Sequence, residues 1–149
     1  MSTIAIIGAG PGVGAAVARR FGREGFAVAL ISRTQAHLDA LAAELSADGI
    51  TVQGFAADVR DRDALELAID AATTTLGPIE VLQYSPIPHR DFLKSVLDTT
   101  PADLAAAVDF SIMGPFTASR RVLDGMRSLG AGTGAQSEPI LTAALLFRT

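Results

Sequence analysis

Apolar residues in this chain follow two alternating patterns: short runs almost free of charge, and longer stretches with apolar positions three or four apart. The first run, Thr3–Ile7, is β-branched and uncharged, as expected for a strand buried on both faces of a parallel sheet. After a glycine-rich turn, Val13, Val17 and Phe21 recur at helical spacing until Gly25. Phe26–Ile31 reads as the second strand. Thr34 is placed to cap a second helix with a Leu38, Leu41, Leu45 stripe, closed by Asp48-Gly49. Ile50–Ala56 is the third strand. Asp61 is placed to cap a third helix carrying Leu65, Ile69, Ala72 and Leu76, ended by Gly77-Pro78. Ile79–Tyr84 is the fourth strand. A proline-punctuated loop, Ser85–Asp98, then leads to Thr100-Pro101, a cap and first helical residue. The helix that follows runs to about Leu129, and Gly114-Pro115 is expected to kink it.

This alternation predicts right-handed β-α-β units and an α/β fold: a Rossmann-like, doubly wound parallel sheet with strand order 3-2-1-4. Residues 1–129 read as one dinucleotide-binding domain. From Gly130 the texture changes, and residues 130–149 form an atypical tail. Its first part, through Glu138, is loop-like, whereas Pro139–Phe147 is apolar enough for one added strand or a helical turn. Periodicity does not separate those two.

Composition narrows the classes. At 149 residues, 49% of them apolar, the chain has the length of one domain and enough apolar surface for a buried sheet and an oligomer interface. A net charge of −4, with basic pairs only at Arg19-Arg20 and Arg120-Arg121, argues against a nucleic-acid surface. Without cysteine there is no disulfide framework or thiolate chemistry, and two histidines, His37 and His89, offer no zinc spacing. The uncharged segment Ser2–Ala18 lacks a basic start and is interrupted by glycine and proline, so it reads as mature structure. No run reaches the length of a membrane span. The expected location is cytoplasmic.

The turn after the first strand carries the strongest chemical signal. Glycine lets backbone approach a pyrophosphate closely, and the following helix aims unpaired N–H groups and a positive dipole end at it. Two registers fit: Gly10-Pro11-Gly12-Val13-Gly14-Ala15 as G-x-G-x-x-A, and Gly8, Gly12 and Gly14 as G-x-x-x-G-x-G. The competing reading is a tight strand-to-helix turn without a ligand. About 20 residues further on, an acidic residue would hold an adenosine ribose. This chain instead has Ser32-Arg33, a hydroxyl and a guanidinium suited to the 2′-phosphate of NADP rather than to NAD. The competing reading there is a surface arginine at a helix start.

Together these residues resemble the short-chain dehydrogenase/reductase family over about residues 3–129. The family's T-G-x-x-x-G-x-G loop is matched by Gly8, Gly12 and Gly14, with Ile7 in place of threonine. Ala57-Asp58-Val59 looks like its adenine-contacting pair. Asp109-Phe110-Ser111-Ile112-Met113-Gly114-Pro115-Phe116 resembles its central-helix pattern D-x-N-x-x-G-x-F. The resemblance implies a dinucleotide site formed by Gly8, Gly10, Gly12, Val13, Gly14, Ser32, Arg33, Asp58, Val59, Tyr84 and Ser85. It also implies NADP(H) as cofactor and hydride transfer to a small carbonyl substrate as the reaction.

The departures bear on that reaction. Where the family has N-A-G after the fourth strand, this chain has Gln83-Tyr84-Ser85-Pro86, and Ser111 stands at the relay asparagine. The family's Y-x-x-x-K pair supplies the acid and the lysine that tunes it, and four-residue spacing puts both on one helical face. Here the single tyrosine, Tyr84, and the single lysine, Lys94, lie ten positions apart across a proline-containing loop. Ser137 comes near the family's catalytic serine, but Gln136 and Glu138 flank it, and it is not taken as catalytic. No catalytic residue and no metal ligand is therefore assigned. Tyr84, His89 and Asp91 could exchange protons beside the fourth strand; the bland reading, that Tyr84 closes the core and 89–91 is a solvated loop, is preferred. Asp58, Asp61 and Asp63 read as an adenine contact and helix caps rather than a metal site.

The expectation is an NADP-binding, oxidoreductase-like protein with little or no turnover. The alternatives are a nucleotide-sensing module, or a ligand-free oligomer. Leu104, Val108, Ile112, Phe116, Val122 and Met126 are too many apolar positions for one face of the 101–129 helix. A homo-oligomer through that helix is expected.

Overall fold

The computed structural model describes residues 1–88 and 92–136. Five strands, β1 (Thr3–Ile7), β2 (Ala27–Ser32), β3 (Val52–Ala56), β4 (Ile79–Tyr84) and β5 (Thr133–Gln136), form one parallel sheet in the order β3-β2-β1-β4-β5. The central strand β1 is wholly buried, and successive side chains feed opposite layers. Ile4 and Ile6, with Val28 and Leu30, pack under helices α1 (Val13–Arg23) and α2 (Gln35–Ala47) through Ala15, Ala18, Leu38, Leu41 and Leu45. Ala5 and Ile7, with Ala29, Ile31, Leu82 and Tyr84, meet α3 (Arg62–Leu76) and the long helix beyond β4. This is the doubly wound arrangement predicted, with the 3-2-1-4 order extended by one strand.

That added strand lies inside the glycine-rich stretch read as a loop. Thr133-Gly134-Ala135-Gln136 lacks a β-branched apolar pattern; among the described residues β5 pairs with β4 alone, through a backbone ladder from Val81 opposite Thr133 to Tyr84 opposite Gln136. Pro139–Phe147 lies outside the described residues. The strand starts at Phe26 and Ile50 move to Ala27 and Val52; Phe26 instead packs edge-on against Phe21, with ring centroids 5.3 Å apart.

The helix after Thr100-Pro101 consists of α4 (Pro101–Val108), a π-helical turn (Asp109–Met113) and α5 (Gly114–Leu129). The wider turn lies just upstream of Gly114-Pro115, the pair at which a kink is expected. Proline has no N–H and its ring crowds the carbonyl four residues back; a π turn opens the ladder there. Gly114 N–H reaches back five residues, to Asp109 O. Phe110 O therefore receives no bond from Gly114, and its i+5 partner is Pro115.

Candidate dinucleotide site

A cleft of about 290 Å³ opens where the carboxyl ends of β1, β2 and β3 meet the loop after β4. Its floor is the glycine turn, Gly8 to Gly10; its flank is Ser32, Arg33, Thr34 and His37; its far wall is Ala57 to Arg60. Pro86, Ile87, Phe92 and Phe110 close the side toward β4. The sequence thus brought Gly8, Gly10, Ser32, Arg33, Asp58 and Val59 to one cleft. Gly12, Val13 and Gly14 form the first turn of α1 beside it.

The glycines of the turn answer to different demands. Gly8 has φ +88°, and a Cβ there would sit 2.3 Å from Pro86 N, so the turn is pressed against the β4 loop. That contact is reinforced by Ser85 N–H donating to Ile7 O at 2.8 Å. A Cβ on Gly14 would come within 3.1 Å of Ala9 Cα. At Gly10 and Gly12 a Cβ would meet nothing within 4 Å, and neither residue has positive φ. The packing of the described residues does not require glycine at these two positions.

Helix α1 begins on Gly12 with no side-chain cap and no acidic residue in its first turn. The amides of Ala15 and Ala16 turn back to Gly10 O and Gly12 O. Those of Gly12, Val13 and Gly14 find no acceptor among the described residues. Three converging N–H groups at a helix N-terminus form an anion cradle. Helix α2 is similar. Thr34 occupies its N-cap, but the side chain accepts no capping bond, contrary to the sequence expectation, and instead lines the cleft.

Charge in the cleft is lopsided. Asp58 is clamped by Arg60, whose Nη2 lies 2.8 Å from Oδ2 and whose Nε and backbone N–H both donate to Oδ1. The Arg60 hydrogen bond, aided by the charge of Arg33, holds the Asp58 carboxyl below the usual aspartate range. Arg33 itself has no ion-pair or hydrogen-bond partner among the described residues. Among the described residues, the Arg33 guanidinium thus lines the cleft without a direct partner, beside the Thr34 hydroxyl and the exposed His37.

Tyr84 is not part of the cleft lining. Its ring is 2% exposed in the core, and its hydroxyl donates to Phe110 O at 2.6 Å, filling the acceptor that the π turn left without a backbone donor. Ser85 is half-buried behind the turn and accepts from Gln83 Nε2 at 3.0 Å, while Gln83 Oε1 is buried without a partner among the described residues. Asp61 caps α3 through Ala64 N–H at 3.0 Å. His89, Arg90, Asp91 and Ser137 lie outside the described residues; Ser137 is the residue after β5. Thr34 and His37 were missed as candidates, because nothing in the sequence distinguishes an unused cap hydroxyl or a cleft-facing helix position from ordinary surface.

The sheet order and the cleft at the strands' carboxyl ends define a Rossmann-like α/β protein. The family model for short chain dehydrogenase matches residues 2–135. The chain belongs to the short-chain dehydrogenase family. It is 32% identical over 126 residues to 3-dehydrosphinganine reductase of Arabidopsis thaliana, covering 83% of this chain and 36% of that one. Among solved structures, actinorhodin polyketide ketoreductase with NADPH is 26% identical at a TM-score of 0.78, over 91% of this chain and 52% of that one. The 7α-hydroxysteroid dehydrogenase complexed with NADH shares the fold at a TM-score of 0.83 and 21% identity, with coverage of 91% and 52%. Against several of its curated relatives, the chain spans from 36% to 50% of their length.

Proposed function

We propose that this chain is the cofactor-binding part of a short-chain dehydrogenase-type oxidoreductase, that it binds NADP(H) in preference to NAD(H), and that residues 1–149 alone support little turnover. The observation that carries the reading is the opening at Gly10 and Gly12: glycines the fold does not need, beside three unpaired amides. A Cβ at either position would fill the space through which a pyrophosphate reaches those amides.

The roles divide along the cleft. Gly12, Val13 and Gly14 hold the pyrophosphate by backbone N–H groups and the α1 dipole. Ser32 and Arg33 hold the 2′-phosphate, a task for which Arg33 is suited because no carboxylate among the described residues pairs with it directly. Ala57, Asp58 and Val59 border the adenine. Phe110 and Phe92, packed edge-on with centroids 5.4 Å apart, exclude water from the β4 side. A bound nicotinamide dinucleotide supplies the hydride donor or acceptor. Among the described residues no acid is positioned for proton transfer. Tyr84 is committed to Phe110 O, and Ser111 lies on the π turn with no tyrosine and lysine at four-residue spacing near it.

Positioned acid/base groups contribute typically ~10²–10⁴-fold to such reactions. A panel of aldehydes, ketones and quinones, followed by NADPH absorbance, is expected to give no turnover above background, while NADPH fluorescence reports binding. Rapid reduction of any substrate, abolished by Tyr84→Phe, would overturn the inactive reading.

A further inference from the structure

A second depression, of about 180 Å³, runs between α5 and the strands β4 and β5. Its walls are Leu82, Phe116, Val122, Leu123, Met126 and Gly134, and almost every atom facing it is apolar. The groove follows from the edge of the sheet. Helix α5 packs over β4 through Val122 and Met126. On β5 the residue paired with Leu82, and so on the same face, is Gly134, which brings no side chain. Phe116 is left largely exposed at one end.

Two contacts fix the direction along the groove. Met126 lies against Gly132, just before β5, where a Cβ would come within 2.7 Å of its side chain. Gly114 lies against Tyr84, whose strand partner is Gln136, the last residue of β5. The chain therefore leaves β5 at the Phe116 end of the groove. Three residues further on an apolar run begins, residues 140–147, with Thr142 as its one polar member. As a helix such a run is about 12 Å long, close to the ~13 Å of the four-residue β5, whereas extended it would be about 26 Å and overshoot the groove. Charge agrees: Glu138 precedes the run, and Arg120 on the groove's rim has no ion-pair partner among the described residues. A segment tethered three residues from β5 meets the groove at an effective concentration on the order of millimolar, far above that of a second copy at micromolar protein.

We propose that residues 140–147 fold back over this groove within the same chain, as a helix alongside α5 with Leu141 and Leu145 facing it. The tail then completes the second layer at the edge of the described sheet, whatever the dinucleotide cleft holds.

The chain has no cysteine, so engineered pairs test this cleanly. Ser119→Cys, on the groove wall, is combined with Leu141→Cys in one full chain and with Leu145→Cys in another, and each is oxidised at micromolar concentration. A disulfide within the monomer, read as a reducible mobility shift under denaturing conditions, is expected for at least one pair. Crosslinked dimers alone would put a second copy in the groove, and no crosslink in either pair would put the tail elsewhere; both overturn the proposal. The second readout is fluorescence of the dye ANS with the full chain carrying Leu141→Asp and Leu145→Asp. Freeing the groove should raise it severalfold, since the dye reports exposed apolar surface. A tail already in solvent would lose apolar surface instead, so a fall or no change overturns the proposal.

Discussion

Gly8 and Gly10 stand two positions apart in one turn and are glycines for different reasons. Gly8 is demanded from inside, by a positive φ and by Pro86 against its missing Cβ. Gly10 is demanded by nothing among the described residues. Gly8→Ala is therefore expected to lower the melting temperature, whereas Gly10→Ala is expected to leave it unchanged or slightly raised, since alanine restricts the unfolded chain. The same Gly10→Ala should weaken dinucleotide binding by at least about tenfold, or ~1.4 kcal/mol. Thermal melts with and without NADP separate the two effects; an unstable Gly10→Ala protein would mean that this glycine is structural. The sequence showed that this turn was special, but not which glycine serves the fold. That depends on the approach of the β4 loop, far away in the chain.

At the scale of elements, the π turn joins three residues that look unrelated in sequence. Pro115 removes a donor, Gly114 N–H is drawn to Asp109 O, and Tyr84 Oη takes the remaining carbonyl of Phe110. Gly114 is part of the same device, because a Cβ there would lie 2.3 Å from that hydroxyl. Tyr84→Phe leaves a buried carbonyl without this donor and is expected to cost about 1–3 kcal/mol in denaturant unfolding. Gly114→Ala should destabilise too, and the double variant should be less destabilised than the sum of the singles, because removing the hydroxyl relieves the clash. Strict additivity would contradict the contact.

Helix α4 makes a different kind of start. Asp103 accepts from Lys94 Nζ at 2.7 Å and from the N–H and hydroxyl of Thr100, closing a capping box with the Thr100 hydroxyl accepting from Asp103 N–H. The Lys94 bond first, then those from Thr100, hold its carboxyl at about 2. The folded state thus favours the carboxylate. The cap's contribution is complete above the ordinary aspartate pKa of about 4 and is lost as pH falls toward about 2. Hydrogen exchange in the first turn of α4 should accelerate in that window, and Asp103→Asn should remove the dependence. The strands that face two layers were legible because both faces impose apolar residues. Strand β5, one ladder of Thr, Gly, Ala and Gln at the edge of the described sheet, left no such trace.

For the molecule as a whole, the unresolved demand is the outer face of the long helix. Val122 and Met126 are buried as core, but Leu104, Val108, Ile112 and Phe116 remain 60%, 45%, 49% and 55% exposed along successive turns. A stripe of this kind favours association, and a self-complementary contact through α4 and α5 is the simplest closed solution. Sedimentation at micromolar concentration is expected to show a dimer or larger species, and Ile112→Glu with Phe116→Glu to shift it toward monomer; a clean monomer in the unmodified chain would contradict this. Among the described residues no helix is long and apolar enough to cross a membrane.

If the cleft between the glycine turn and Arg33 takes a 2′-phosphorylated dinucleotide, calorimetric titration of the full chain with NADP and with NAD will separate the two ligands. A charge-assisted contact to the 2′-phosphate is worth ~1.5–3 kcal/mol, so NADP should bind about ten- to a hundredfold more tightly, and Arg33→Ala should erase most of that gap. Equal affinity for the two dinucleotides, or no heat with either, would contradict the account.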